Sequence, residues 1–376
     1  MDINLSTLFK KKDDSALGID IGSSSIKVVQ LKKKGNRAVL ETYGELSLGP
    51  YAGVSVGQAT KLSTDRLIEA MKGLLTEKEV NVTTRNCGIA IPFHASLLTV
   101  MEMPAASEQE LNAMVPIEAR KYIPVPISEV ALNWSVIPKL EARSETQEVA
   151  DTLAKEKKEE PKTIDILLAA IHNNIIAEYQ SVVTSAGLNA TFFEIELFSA
   201  VRSVLDDDNV RSALILDIGA ASTKVYVMER GIIRGSHIIN RGSQDITTAI
   251  ANANSVSFGD AEVLKRTVGL TGGGDNAKIR DSVALTLSFI FSEANRVLFD
   301  YQKQHNRNLD KVLLIGGGSA LRGLVPLASE NFRIPVEAGN PFLKVETPAF
   351  LEQVLSETGP EFAVSVGVAL RKLKEM

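Results

Sequence analysis

The sequence predicts an α/β protein of two lobes, each built on the same strand–turn–strand unit. Three observations carry this. Residues 16–31 align without a gap to residues 213–228, an offset of 197, with eight of sixteen positions identical. A repeat separated by half the chain is the mark of a duplicated structural unit. Strand-like and helical stretches alternate on either side of it, the pattern of an α/β fold. The length of 376 residues is about twice a typical domain of roughly 100–200 residues.

Taken in order, the N-terminal tip pairs Ile3, Leu5, Leu8 and Phe9 with Lys10, Lys11 and Lys12. It reads as a solvated tail in preference to a weak lipid-surface or partner contact. Leu17–Leu31 has Ile- and Val-rich flanks around Gly22-Ser-Ser-Ser25, two short strands about a tight turn. Ala38–Leu46 continues the strand character. Thr64–Leu75 carries apolar residues at 67, 68, 71, 74 and 75, a helical stripe with Thr64 as its N-cap. Cys87–Val100 reads as a strand pair interrupted by Pro92. Ser107-Glu-Gln-Glu110 is a capping-box pattern that opens a helix, which Pro116 is expected to kink or divide before Tyr122. Val130–Ile137 and Ile164–Ile171 follow as strands. Between them Pro138–Thr163 holds seven acidic and six basic residues, too many charges to bury a core, and reads as a flexible surface insertion. Asn174–Gly187 is a helix ended by its glycine. In the second half, Asp275–Gln304 is expected as one long helix, Lys311–Ile315 as a buried strand, and Glu361–Leu373 as a closing helix after Pro360.

Composition removes several function classes. A net charge of −5 and a pI near 5.6 argue against nucleic acid as a partner. Cys87 is the single cysteine, so no intrachain disulfide and no multi-cysteine metal site exists. The four histidines, at 94, 172, 237 and 305, show no metal-ligand spacing. Uninterrupted apolar stretches fall far short of the ~18 residues a membrane span needs, and no signal peptide is read at Met1–Leu8. The expectation is a cytosolic protein.

The repeat points to chemistry. Each copy ends a strand with an aspartate, Asp20 or Asp217, followed by a small-residue turn whose backbone N–H groups can face an anion. Gly22, Ser23, Ser24 and Ser25, and Gly219 in the second copy, allow close backbone approach. Facing each other, the turns would grip a phosphate chain. Asp20 and Asp217 would then hold a hydrated Mg²⁺, and Lys27 would neutralise phosphate charge. The bland alternative is a pair of hairpin turns whose Asp and Ser satisfy local donors. A third motif tips the balance. Val312–Ile315 runs into Gly316, Gly317 and Gly318 and on to Arg322-Gly323, a strand, a glycine turn and a helix start that suit flat contact with a base or sugar.

Together these segments resemble the actin-like ATPase superfamily. Phosphate 1 falls at 18–27, the first connecting helix at 194–205, phosphate 2 at 215–227, the adenosine loop at 315–323 and the second connecting helix at 361–370. Gly259–Lys265 is similar to the segment that contacts ribose in FtsA- and DnaK-type relatives through the residues matching Glu262 and Lys265. Its plainer reading is an exposed helix with an i,i+3 ion pair. Within the superfamily the sequence resembles the PilM family of type IV pilus assembly. The likeness rests on the Asp-Ile-Gly-Ser-Ser-Ser-Ile-Lys loop near the N-terminus, on Glu118-Ala-Arg-Lys-Tyr122-Ile-Pro124, and on Glu194-Ile-Glu196-Leu-Phe-Ser-Ala200.

The resemblance implies a two-lobed actin-like ATPase fold with duplicated RNase H-like subdomains and an FtsA-type 1C subdomain. Its expected layout is 1A over 1–85 and 173–210, 1C over 86–172, 2A over 211–240 and 306–350, 2B over 241–305, and a return to 1A over 351–376. It also implies ATP or ADP with Mg²⁺, and an adaptor that binds the cytoplasmic N-terminal tail of a PilN-like inner-membrane protein in a groove between 1A and 1C. Segments 88–100 and 117–123 are the expected groove. Other pilus inner-membrane and motor components are further partners, self-association is open, and the location is cytoplasmic at the inner-membrane face. A related type II secretion machinery is the other setting.

One departure bears on turnover. Many relatives have a second glycine where Ala221 stands, so slow ATP hydrolysis at most is expected. Glu196 is the candidate for positioning water, and reads equally well as a carboxylate satisfied at a helix start. A sugar or acetate kinase of the same fold is the alternative, but it needs an added catalytic aspartate beside a hydroxyl-binding cluster, and Asp206-Asp-Asp208 reads as a solvated turn. An FtsA-like filament protein is the other. It would carry a C-terminal amphipathic helix, whereas Leu373-Lys-Glu-Met376 follows the second connector directly.

Overall fold

The repeat folds as a repeat. In the computed structural model, which describes residues 14–137, 163–205 and 212–376, β1 (Ser15–Ile21) and β2 (Ser25–Lys34) form a hairpin, and β3 (Arg37–Ser47) adds antiparallel to β2. Nearly every residue of β1 is buried, as suits a strand covered on both faces. Next comes α1 (Thr64–Thr76), whose N-cap is Ser63 and not Thr64. The Ser63 hydroxyl accepts from the Arg66 N–H, and Thr64 is the first helical residue. Then β4 (Asn86–Ile91) runs parallel beside β1.

Residues His94–Ala177 make a compact unit of their own. It contains β5 (Ser96–Pro104), α2 (Glu108–Glu118), β6 (Val130–Ile137) and β7 (Thr163–His172), with the antiparallel order β5-β7-β6. The capping box is present at Ser107 and Glu110. Pro116 sits in the last α-helical turn. The helix gives way to a tighter 3₁₀ turn over Ala119–Lys121, so the division falls before Tyr122. Met101, Met103, Leu111, Val115 and Ile166 fill the core of this unit. Its boundary differs from the expected 86, because Asn86–Ile91 pairs with β1 and so belongs to the first sheet. For the same reason Cys87–Val100 is not a strand pair: its two strands lie in different sheets.

The chain continues through α3 (Asn173–Ser185) into β8 (Asn189–Ile195), parallel to β4, and α4 (Glu196–Val204). The second copy follows as β9 (Ser212–Ile218), β10 (Thr223–Glu229) and β11 (Ile232–Ile239). Three helices come next: α5 (Ser243–Asn254), α6 (Phe258–Thr267) and α7 (Ala277–His305). By length and composition α7 could cross a membrane, but its stripe from Ile279 to Tyr301 lies in the core of the second lobe. The remaining elements are β12 (Lys311–Ile315), α8 (Leu324–Asn331), β13 (Val336–Ala338), β14 (Val345–Glu346), α9 (Glu352–Thr358) and α10 (Ala363–Lys374). The adenosine-type loop therefore leads first into a 3₁₀ turn, Gly317–Ala320, and only then into α8. β14 pairs with β3, which returns the chain to the first sheet before residue 350.

The two larger sheets share one topology. β3-β2-β1-β4-β8 and β11-β10-β9-β12-β13 have the same order and the same two antiparallel and two parallel pairings. α10 lies against β1 at very close range. A Cβ on Gly18 would stand 2.0 Å from the Ser365 carbonyl oxygen, and one on Gly367 would stand 1.8 Å from that of Ser199, on α4. The N-terminal tip with Lys10–Lys12, the charged insertion up to residue 162 and the Asp206–Asp208 run lie outside the described residues.

Candidate functional site

Within the unit formed by residues up to Phe93 and from Glu178 onward, the two hairpins and the glycine loop open on one cavity of about 310 Å³. The nucleotide-site residues named from the sequence line it: Asp20, Gly22–Ser25 and Lys27 from the first hairpin, Asp217 and Gly219 from the second, Glu196, Glu262 with Lys265, Gly316–Gly318 and Arg322. The hairpins are superimposable in register. Asp20 pairs with Lys27 across the strands as Asp217 does with Lys224. Each turn is closed by its glycine, with the Gly22 N–H donating to the Ser25 carbonyl at 2.9 Å and the Gly219 N–H to that of Ser222 at 3.0 Å. The N–H groups of Ser23, Ser24, Ala220 and Ala221 donate to no backbone carbonyl among the described residues, as an anion-binding turn requires. Gly316 adopts φ 83°, and a Cβ there would meet Asp217 Oδ1 at 2.4 Å, so this backbone closes on the aspartate only as glycine.

The buried end of the cavity is acidic. Burial, followed by the charge of Glu196, pushes Asp20 up to about 7. Burial also raises Asp217, against the pull of Lys224. Lys224 Nζ lies 3.0 Å from Glu196 Oε2 and 3.3 Å from Asp217 Oδ2. Burial works against its charge, but these carboxylates outweigh it and hold Lys224 well above the ordinary lysine range. Glu196 is therefore not a free base: its other oxygen accepts the Phe93 N–H at 2.7 Å. Two residues earlier, Glu194 plays a different part, clamping Ser199, Arg202 and Arg371 between β8, α4 and α10.

At the other end Lys27 Nζ bonds the Ser25 hydroxyl at 2.7 Å and Glu45 at 2.9 Å. Glu361 is raised to about 7, by burial and then by the neighbouring Glu45. Glu262 and Lys265 are buried at 4% and 7% exposure and ion-paired at 2.7 Å, which rules out the exposed-helix reading. Glu262 also accepts from Thr247 and Arg266.

Several lining residues had no place in the sequence reading: Lys224, Glu45, Arg266 and Glu361. Lys224 was available there, since the repeat aligns it with Lys27. Glu45 and Glu361 carry no local pattern, because sheet register and the approach of the last helix bring them in. The residues present fit a magnesium nucleotide. Asp217, buried, and Asp20, half-buried, line the cavity beside the two turns, and one or two carboxylates with phosphate oxygens and water are the donor set Mg²⁺ takes.

Comparison with known proteins gives the family and the fold. The family model described as type IV pilus assembly protein PilM matches residues 18–373. The chain is similar to the structure of a PilM-PilN type IV pilus biogenesis complex, with 27% identity, a TM-score of 0.76, and coverage of 95% of this chain and 98% of that one. It is 24% identical to the cell division protein FtsA of Streptococcus pneumoniae, over 90% of this chain and 79% of the relative. MreB5 of Spiroplasma citri bound to AMPPNP shares the fold, at 11% identity and a TM-score of 0.51, with 97% and 98% covered.

Proposed function

The chain belongs to the PilM family of type IV pilus assembly proteins, and from that premise we propose that it is an ATP-binding, actin-like adaptor that ties nucleotide state to a membrane-anchored partner. The observation that supports this most is the convergence of two Asp–Lys hairpins and a glycine loop on one cavity. Asp20 and Asp217 would hold Mg²⁺ beside the phosphates. The turns at Gly22–Ser25 and Gly219–Ser222 receive the phosphates through their free N–H groups. Glu262 and Lys265 meet the ribose, and Gly316–Gly318 with Arg322 flank the base. A Mg²⁺ held there would supply positive charge to the phosphates. Hydrolysis is expected to be slow at most, since Ala221 restricts the backbone of the second turn. The first-lobe sheet is subdomain 1A, unit His94–Ala177 is 1C, the second-lobe sheet 2A and the α5–α7 layer 2B.

The partner is the cytoplasmic N-terminal tail of a PilN-like protein, which keeps the adaptor at the inner-membrane face. Ile117 and Tyr122, 64% and 40% exposed within the segment 117–123, offer that tail apolar contacts on the second unit. Family membership favours this reading over a sugar or acetate kinase. Calorimetric titration tests both halves. Mg-ATP is expected to bind the wild type and to lose affinity in Asp20→Ala and Asp217→Ala, which remove a carboxylate and little core volume. A synthetic PilN-type tail peptide is expected to bind, with an affinity that shifts when Mg-ATP is present. Unchanged ATP binding in both variants would sink the site, and absence of peptide binding in either state would sink the adaptor.

A further inference from the structure

Resting on the nucleotide reading above, we propose that Lys224 is a phosphate-sensing residue: it exchanges its ion pair with Glu196 for the terminal phosphate of a bound nucleotide, and Glu196 relays the exchange to the backbone of Phe93, the last residue before the second unit begins.

The geometry lies along one line of contacts. Lys224 lines the cavity beside Asp217, at the same place in its hairpin that Lys27 holds in the first. Its ammonium has two carboxylate partners, Glu196 at 3.0 Å and Asp217 at 3.3 Å, all three side chains being at most 15% exposed. A triphosphate gripped by the two turns brings a denser negative charge to the same ammonium. A lysine is a mobile point cation that can follow such a charge. Whatever Lys224 gives up, Glu196 loses. That carboxylate then keeps a single neutral donor, the Phe93 N–H at 2.7 Å, in a buried place. Glu196 is the first residue of α4, so a shift there moves a helix terminus together with the Phe93 amide. The Phe93 ring stands edge-on to that of Tyr226, centroids 6.1 Å apart, and the buried Tyr226 hydroxyl has no hydrogen-bond partner among the described residues. The chain enters the next compact unit at His94, one residue beyond. Glu196 is thus a positioning residue for the Phe93 amide, and Lys224 is the group that touches the ligand.

The test is hydrogen–deuterium exchange of the full chain, read on peptides covering residues 91–96, with calorimetry confirming nucleotide occupancy in the same samples. Wild type is expected to change exchange of this segment at least tenfold between nucleotide-free and Mg-ATP states, and much less with Mg-ADP. Glu196→Gln is expected to remove most of that difference at saturating Mg-ATP. Lys224→Met should weaken Mg-ATP more than Mg-ADP. If Mg-ATP binds and exchange of 91–96 stays the same, or if Glu196→Gln keeps the full difference, the relay is wrong while the nucleotide site stands. If no nucleotide binds, the nucleotide reading fails and the relay falls with it.

Discussion

Lys27 and Lys224 occupy the same register in two copies of one hairpin and hold different neighbours. Lys27 reaches Glu45 on β3, a carboxylate one-third exposed at the cavity rim. Lys224 reaches Glu196 and Asp217, both under 10% exposed at its buried end. The backbones are duplicates, but the carboxylates come from parts of the chain that the repeat does not include: Glu45 from the third strand of the first sheet and Glu196 from the connecting helix. The outer faces differ too. Gly18 of the first hairpin aligns with Ile215 of the second. At Gly18 the last helix comes within reach of backbone, whereas Ile215 is a fully buried core residue. Duplication supplies the scaffold, and what packs against each copy decides its chemistry.

Putting the second copy's residue into the first breaks this comparison hardest. Gly18→Ile drives a side chain into the Ser365 carbonyl and Ala369 of α10, so destabilisation above about 5 kcal/mol and loss of folded protein are expected. Ile215→Ala, the reverse defect, leaves a cavity and is expected to lower stability by about 2–5 kcal/mol, measured by denaturant unfolding.

The two lysines come next. Lys224→Met leaves Glu196 and Asp217 buried without their cation, with an expected loss of about 3–5 kcal/mol. Lys27→Met leaves Glu45, one-third exposed, without its cation and removes a positive charge near Glu361 and Asp20, and a smaller loss of about 1–2 kcal/mol is expected. Equal losses in urea titrations would show that the two ends of the cavity are electrostatically alike.

The aspartates sharpen the comparison through pH. Folding raises Asp20 from 3.8 to about 7, so the folded state holds a proton that the unfolded chain releases. Its stabilising share is whole below about pH 3.8 and is lost as pH rises through about 7. Glu361, also raised to about 7, drifts the same way. The informative quantity is therefore the difference between wild type and Asp20→Asn: without nucleotide, the Tm of the variant should gain on wild type steadily from pH 4 to about 7. Parallel curves would remove the buried acid from the account.

Smallest of all is the exchange of turn residues. Ala220→Ser with Ala221→Ser makes the second turn match Ser23-Ser24, and stability should move by less than about 0.5 kcal/mol. A gain in Mg-ATP affinity of up to tenfold would show that the hydroxyls of the first turn contact phosphate.

Much of this molecule was legible along the chain. The sixteen-residue repeat predicted two lobes, and the structure returns two sheets of one topology. The glycine and aspartate positions of the cavity were legible because turn geometry and close approach restrict residue type locally. Lys224 was visible in the same alignment, yet its partner was not, since nothing near Lys224 in sequence announces a carboxylate 28 residues upstream. Boundaries slipped where pairing overrode local pattern. Cys87 to Ile91 reads as the start of the inserted unit, but its bonds go to β1. Ser63 displaced Thr64 as helix cap because either hydroxyl suits the sequence and only backbone direction chooses.

By itself, then, the chain determined the duplicated hairpins, the residue types at their turns and the exclusion of an intrachain disulfide or multi-cysteine metal site, because each depends on residues close in sequence or on composition. Tertiary structure alone decided that Glu196 is bound on both oxygens, that Glu262 and Lys265 are buried, and that Glu45, Arg266 and Glu361 join the cavity. Those outcomes follow from which elements pack together, and burial is what turns an ordinary surface charge into one whose proton and partner are fixed by the fold.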